Sequence, residues 1–154
     1  MANLFYRDLA EAKKTEELVK EVLSGLTFQY TFKPTDDEHK GDIIATDWYG
    51  NKHYIEVKDD SCIYKTHNVL CEEEVYFHEG DYTQPGNFYS DYEIYCVVSR
   101  PERKIYVMDF KKLHDNYKKG EYKVVPHAYQ TTYCYLCSLG KIKQWGALID
   151  IIEY

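Results

Sequence analysis

The strongest constraint on the fold is the stretch from His39 to Asp60, HKGDIIATDWYGNKHYIEVKDD, where two apolar, strand-like runs flank a turn-forming segment. Asp42 opens the first run and Glu56-Val57-Lys58 closes the second. Alternate residues of an extended strand share a face, so Tyr54, Glu56 and Lys58 point one way and Ile55 and Val57 the other. One face reads as core and the other as chemistry. Asp42 joins that chemistry only in an even hairpin register. A loop over 47–51 sets Asp42 opposite Glu56, and a loop over 49–51 sets it opposite Lys58. A two-residue Gly50-Asn51 turn, a recognised hairpin signal, separates them. The expectation is against that two-residue turn.

The 154 residues, 44% of them hydrophobic, suffice for one complete core and not for two comfortable ones, so 1–154 is expected to be a single domain. Five cysteines in irregular spacing, with no apolar N-terminal segment behind basic residues, point to a reduced, cytoplasmic protein. Apolar runs such as 147–152 are broken by Asp150 and fall far short of the roughly 20 residues a bilayer needs, so no membrane partner is expected. A net charge of -7 counts against non-specific affinity for a polyanion, whose binding is dominated by Lys and Arg contacts. Lys111-Lys112, Lys118-Lys119 and Lys141/Lys143 could form a local basic track, although such pairs are ordinarily solvated surface. The 17 tyrosines suit sheet packing and base stacking alike, so they do not discriminate between functions.

Along the chain, Leu4, Leu9, Leu18, Val19, Val22 and Leu23 recur near a 3.6 period and predict a helix over 3–25, with 15–17 as a point of interruption or re-capping. Residues 28–32 alternate as a first strand ending at Pro34, and 36–41 read as a polar loop. Beyond the hairpin, 66–74 reads as helix or turn and 79–87 as a loop. Residues 92–99 and 104–110 form a second hairpin, 110–117 a short helix, and 122–125 and 131–139 late strands.

Helix, strand, a hairpin carrying Asp and then Glu-x-Lys, a connecting segment and a further strand: this order resembles the restriction-endonuclease-like PD-(D/E)XK nuclease superfamily over about Glu16 to Asp109. Members similar to Mrr-type restriction enzymes and archaeal Holliday-junction resolvases carry a glutamate on the first helix. Thr15-Glu16-Glu17-Leu18-Val19-Lys20-Glu21-Val22-Leu23 resembles that helix, with Glu16 at the matching position. Gly41 stands where the motif's name has Pro. The resemblance implies an α/β fold with a mixed central sheet flanked by helices. It also implies a metal-dependent nuclease, an endonuclease rather than an exonuclease, acting on DNA rather than RNA and leaving a 5′-phosphate. Lys65 to Glu72 and Pro85 to Tyr92 look like the connecting segment of some small members. Lys65, Asn68 and Glu72 are accordingly candidate substrate-binding residues, and on a helix Asn68 and Glu72 would share a face.

The chemistry follows from ligand type. Magnesium prefers hard oxygen donors in an octahedron and keeps several waters, so Asp42, Glu56 and the carbonyl of Val57 would be a sufficient protein contribution, with manganese able to substitute. Lys58 would assist the attacking water or the charge developing on phosphate. Glu16 would orient Lys58 or help to hold a second ion. Taken alone, Glu-x-Lys on a strand is ordinarily a solvent-facing charge pattern; Asp42 and the helix with Glu16 are what change its meaning.

Other motifs carry less. Cys134-Tyr-Leu-Cys137 is half of a zinc site at most, and on a strand its two thiols face opposite sides. His39 and His114 could touch phosphate or could be plain solvated residues. The alternative function is a non-catalytic nucleic-acid- or protein-binding domain on the same fold, and a third is a small zinc-containing interaction module. The short chain leaves little room for a separate recognition domain, so a homodimer is one route to substrate recognition.

Overall fold

The computed structural model describes residues 2–35, 37, 40–86 and 92–154. In chain order, α1 (Ala2–Leu26) leads to β1 (Tyr30–Pro34), β2 (Ile43–Asp47) and β3 (Lys52–Asp59), then to α2 (Ile63–Thr66), β4 (Asn68–Phe77) and β5 (Tyr82–Pro85). The second half holds β6 (Ile94–Ser99), β7 (Lys104–Asp109), α3 (Phe110–Asn116), β8 (Glu121–Pro126), β9 (Gln130–Ser138), α4 (Leu139–Gln144) and β10 (Leu148–Glu153). The fold is α/β, as expected. A six-stranded mixed sheet has the order β1-β2-β3-β6-β7-β10, and a four-stranded antiparallel sheet the order β5-β4-β9-β8. Within the large sheet only β3 and β6 run parallel.

Alternation along the strands builds two apolar layers. Ile55 and Val57 of β3 pack with Ile43, Ala45, Cys96 and Val98 beneath Leu18, Val19, Val22 and Leu23 of α1. On the opposite face Tyr95, Val97, Tyr106 and Met108 meet Ile63, Val69, Cys71 and Cys137, so one core joins the two sheets. The strands β6 and β7 are central, buried on both faces, and read in sequence as almost unbroken apolar runs.

The β2/β3 hairpin has the five-residue loop over 47–51. Thr46 pairs with Lys52, and Ile43 pairs with Ile55. That register sets Asp42 across from Glu56. Asp47 makes the longer loop: its carboxylate accepts from the Tyr49 and Asn51 amides, both at 2.9 Å, and its own amide donates to the Asn51 carbonyl at 3.0 Å.

Several expectations need correction. The segment expected as helix or turn over 66–74 is instead the start of β4, because buried Val69 and Cys71 alternate with half-buried neighbours and β9 pairs along its whole length. The helix-favouring Glu72-Glu73-Glu74 is overridden by that pairing, and it carries a bulge. Part of the loop expected over 79–87 is β5. The first strand begins at Tyr30, and α1 is not interrupted at 15–17. The Thr15 hydroxyl lies 3.0 Å from the Glu11 carbonyl one turn back rather than capping a new helix. The final helix and strand, α4 and β10, were not anticipated; Ser138 caps α4 by accepting from the Lys141 amide at 3.2 Å. Residues 36, 38 and 39 of the expected polar loop, His39 among them, and 87–91 of the expected connecting segment lie outside the described residues. Among the described residues, no helix is long and apolar enough to cross a membrane.

Candidate active site

The chain enters β2 through Gly41, whose φ is +114°. A side chain there would bring a Cβ to 2.8 Å from the Ile55 carbonyl oxygen, and proline's φ near -65° is incompatible with this backbone. Glycine therefore precedes Asp42 for a local reason. The Asp42 amide donates to the Ile55 carbonyl at 2.8 Å, and its Oδ2 accepts from the Val57 amide at 2.8 Å. The carboxylate thus takes over the ladder bond that a longer β2 would have supplied. Backbone groups alternate along β3: the Tyr54 carbonyl accepts from Glu93 on the β6 side, while Ile55 and Val57 turn to Asp42. The Val57 carbonyl shares that parity and faces the side where β2 has ended.

Glu56 is only 8% exposed. The Lys58 ammonium sits 3.7 Å from Glu56 Oε1. Burial first, and then the adjacent charge of Asp42, its hydrogen bond and the charge of Glu72, push Glu56 up to about 8 against the opposing pull of Lys58. Glu16 reaches the same place from α1. Burial, the negative charge of Asp42 and a hydrogen bond with it push Glu16 up to about 7, with Lys13 pulling the other way. Burial works against the charge on Lys58, but the carboxylates of Glu72, Glu56 and Asp42 outweigh it and hold the ammonium above its ordinary range. Three carboxylates thus surround one lysine, and Glu16 adds a fourth through Asp42.

The expected residues are placed as follows. Asp42, Glu56 and Lys58 come together, and Glu16 meets Asp42 rather than Lys58. Asn68 and Glu72 share a face, as expected, but by the period of a strand and not of a helix. Both line a cleft of about 360 Å³ that also touches Lys58, Thr66, Leu70 and Leu136. Lys65 does not join them; its ammonium lies over the Tyr64 ring, 5.3 Å from the centroid.

Sequence reasoning missed the clamp that fixes α1. Arg100, in the turn after β6, donates through Nε to Asp59 Oδ2 at 2.9 Å and through a terminal nitrogen to the Thr15 hydroxyl at 2.6 Å. Thr15 is 1% exposed and directly precedes Glu16, so the clamp sets where Glu16 lies. A buried threonine in a helix between charged residues is the one signal that could have found it.

The remaining motifs are engaged elsewhere. Cys134 and Cys137 are free thiols; Cys137 Sγ lies 3.8 Å from Cys71 Sγ, whereas Cys134 Sγ lies 3.6 Å from the Lys123 carbonyl oxygen. His114 packs between the rings of Phe110 and Tyr117. Lys118 pairs with Glu73 at 3.1 Å, and Lys119 donates to Asn116 at 2.7 Å. Among the described residues, no group of three or more His, Cys, Asp or Glu side chains stands in metal-holding geometry. The groups that could hold a cation are the Asp42 and Glu56 carboxylates and the Val57 carbonyl. Two adjacent carboxylates at the edge of a strand would suit a hard cation that keeps most of its waters. No family model, no curated protein and no solved structure matches this chain.

Proposed function

We propose that this protein is a divalent-cation-dependent phosphodiesterase on a restriction-endonuclease-like core, cutting DNA in preference to RNA and internally rather than from an end. The observation that carries this reading is the meeting of Asp42, Glu56 and Lys58 at the end of the β2/β3 hairpin, with Glu56 driven up to about 8 by burial and like charge. Carboxylates crowded in this way gain most from a cation that replaces their protons. Asp42, Glu56 and the Val57 carbonyl would hold magnesium or manganese, which when bound supplies Lewis acidity toward a phosphoryl oxygen. Lys58 is charged and 37% exposed, able to face both a water and the charge developing on phosphate. Glu16 hydrogen-bonds Asp42 and steadies it from α1.

One observation favours the other reading, a non-catalytic binding module. Trp48 and Tyr49, at the hairpin tip, are 80% and 92% exposed, and the Trp48 indole is anchored to the Phe28 carbonyl at 2.9 Å. A cleavage assay separates the two. Wild type and Lys58→Ala are incubated with supercoiled plasmid, branched DNA, single-stranded DNA and RNA in magnesium, manganese or EDTA. The phosphodiesterase reading expects metal-dependent cutting that Lys58→Ala reduces at least a hundredfold. Binding of nucleic acid by both proteins, with cutting by neither, would put the binding module in its place.

A further inference from the structure

The cleft beside Lys58 has a chemistry of its own. At about 360 Å³ it sits near the lower end of small-ligand pockets, roughly 300–1,000 Å³. It has room for one nucleoside-sized group and none for a duplex. Leu70 of β4 and Leu136 of β9 are cross-strand partners, so they stand side by side as an apolar wall. Asn68 and Glu72 flank Leu70 two residues to either side and share its face, which puts a carboxamide and a carboxylate along the same wall. No hydrogen bond occupies the Asn68 carboxamide among the described residues.

Charge decides what can enter. Lys58 is the cleft's only cationic lining residue among those described, and Glu56 already holds its ammonium at 3.7 Å. Asp59, Asp60 and Glu72 also line the cleft. A phosphate pushed past Lys58 would meet carboxylates and no second cation. The part of a substrate that fits is therefore uncharged, with flat apolar faces for Leu70 and Leu136. It also needs hydrogen-bond donors for Glu72 and Asn68. A nucleobase bearing an exocyclic amino group meets all of these requirements, since carboxylates and carboxamides accept from such amino groups. A base reaches a blind cleft only when it is out of the stack.

We propose that this cleft receives a single unpaired nucleobase, adenine, cytosine or guanine, directly beside the phosphate addressed by Lys58. The substrate class is then nucleic acid with extrahelical or single-stranded nucleotides, and intact duplex is a poor ligand. This rests on the phosphodiesterase reading of the adjoining carboxylates.

The test uses the full chain and end-labelled DNA duplexes, followed by fluorescence anisotropy and, in parallel, by cleavage in magnesium. One duplex carries a single bulged 2-aminopurine, one a bulged abasic site, and one is fully paired. The expected result is at least tenfold tighter binding of the bulged base than of the other two, accompanied by a change in 2-aminopurine emission. Leu136→Trp, which fills the cleft, should erase that preference. Asn68→Ala, a smaller change at a half-buried strand position, should weaken it severalfold while thermal unfolding stays as in wild type. Equal affinity for the three duplexes, or a preference that survives Leu136→Trp in a folded variant, overturns the proposal. Lys58-dependent cutting without base preference refutes the cleft's role and leaves the phosphodiesterase reading standing. Base-dependent binding without cutting does the reverse.

Discussion

Replacing Glu56 by glutamine removes a charge and keeps the shape, so it measures how heavily the cluster weighs on the fold. A carboxyl raised from 4.5 to about 8 by burial and by Asp42 is ionised in the folded protein only against that resistance. The difference amounts to between three and four powers of ten, or about 5 kcal/mol at about 1.4 kcal/mol per power. Asp42 and Glu72 share the repulsion, and side chains relax, so the amide should recover about 2 kcal/mol. The sign follows from proton counting. Between 4.5 and about 8 the folded chain binds more protons than the unfolded one at Glu56, so this group's contribution falls as pH rises through that window and levels off above it. Urea unfolding in EDTA at pH 6 and pH 9 should show wild type losing stability on going to the higher pH. Glu56→Gln should lose less, and should be the more stable protein at pH 9. Magnesium should then raise wild type at pH 9 by mass action and leave the variant nearly unchanged. Parallel pH dependences for the two proteins, agreeing within about 0.5 kcal/mol, would refute the electrostatic argument.

Three further outcomes are expected. Gly41→Ala places a side chain at a φ of +114° and 2.8 Å from the Ile55 carbonyl oxygen, so it should cost at least about 2 kcal/mol in denaturant melts and reduce cleavage by displacing Asp42; an unchanged melt would count against it. His53 donates toward Glu93 at 2.7 Å and Asp47 at 3.3 Å, and the two hydrogen bonds raise its pKa. Its stabilisation, about 1 kcal/mol or less, is fully present below the unfolded value near 6.5 and fades as pH climbs through the higher folded value; His53→Gln should therefore differ from wild type at pH 5.5 and match it at pH 9. Thr15→Val breaks the clamp to Asp59 and Arg100, so it should loosen amide exchange protection around the middle of α1 and lower cleavage without abolishing it; unchanged exchange would show that the clamp is dispensable.

The parts of the fold legible in the sequence are those in which the buried pattern is local. The α1 stripe, the β2/β3 register and the β6/β7 hairpin all follow from periodicities that a single element must satisfy by itself. Asp42 and Glu56 could be paired from strand parity once the two-residue turn was set aside, and the Asp47 carboxylate that makes the five-residue loop is itself local. What failed is non-local. Glu72, Glu73 and Glu74 favour a helix, and only pairing with β9, about 60 residues away, makes them a strand. Thr15, Asp59 and Arg100 come from three separate elements, and no spacing links them. Asn68 and Glu72 were placed near the site for a helical reason and reached it by a strand one, because four residues is a whole number of strand periods and nearly one of a helical turn.

On the proposed function a chain with a net charge of -7 must meet a polyanion, and the cluster suggests the order of events. With Glu56 at about 8 and Glu16 at about 7, both still hold much of their proton near neutrality, so Lys58 faces fewer charges than the residue count implies. A hydrated divalent cation at Asp42 and Glu56 would displace those protons, and its affinity should rise with pH until about 8, where Glu56 ionises without assistance. The same cation would compensate the carboxylate charges it uncovers, while Lys58, no longer drawn wholly to Glu56, would be free to meet phosphate. Nucleic acid should therefore bind after the metal, and the binding of the two should be mutually reinforcing. An affinity for DNA that is equal in EDTA and in magnesium would mean that the polyanion docks away from the carboxylates, and the exposed Trp48 and Tyr49 at the hairpin tip would then be the surface to follow.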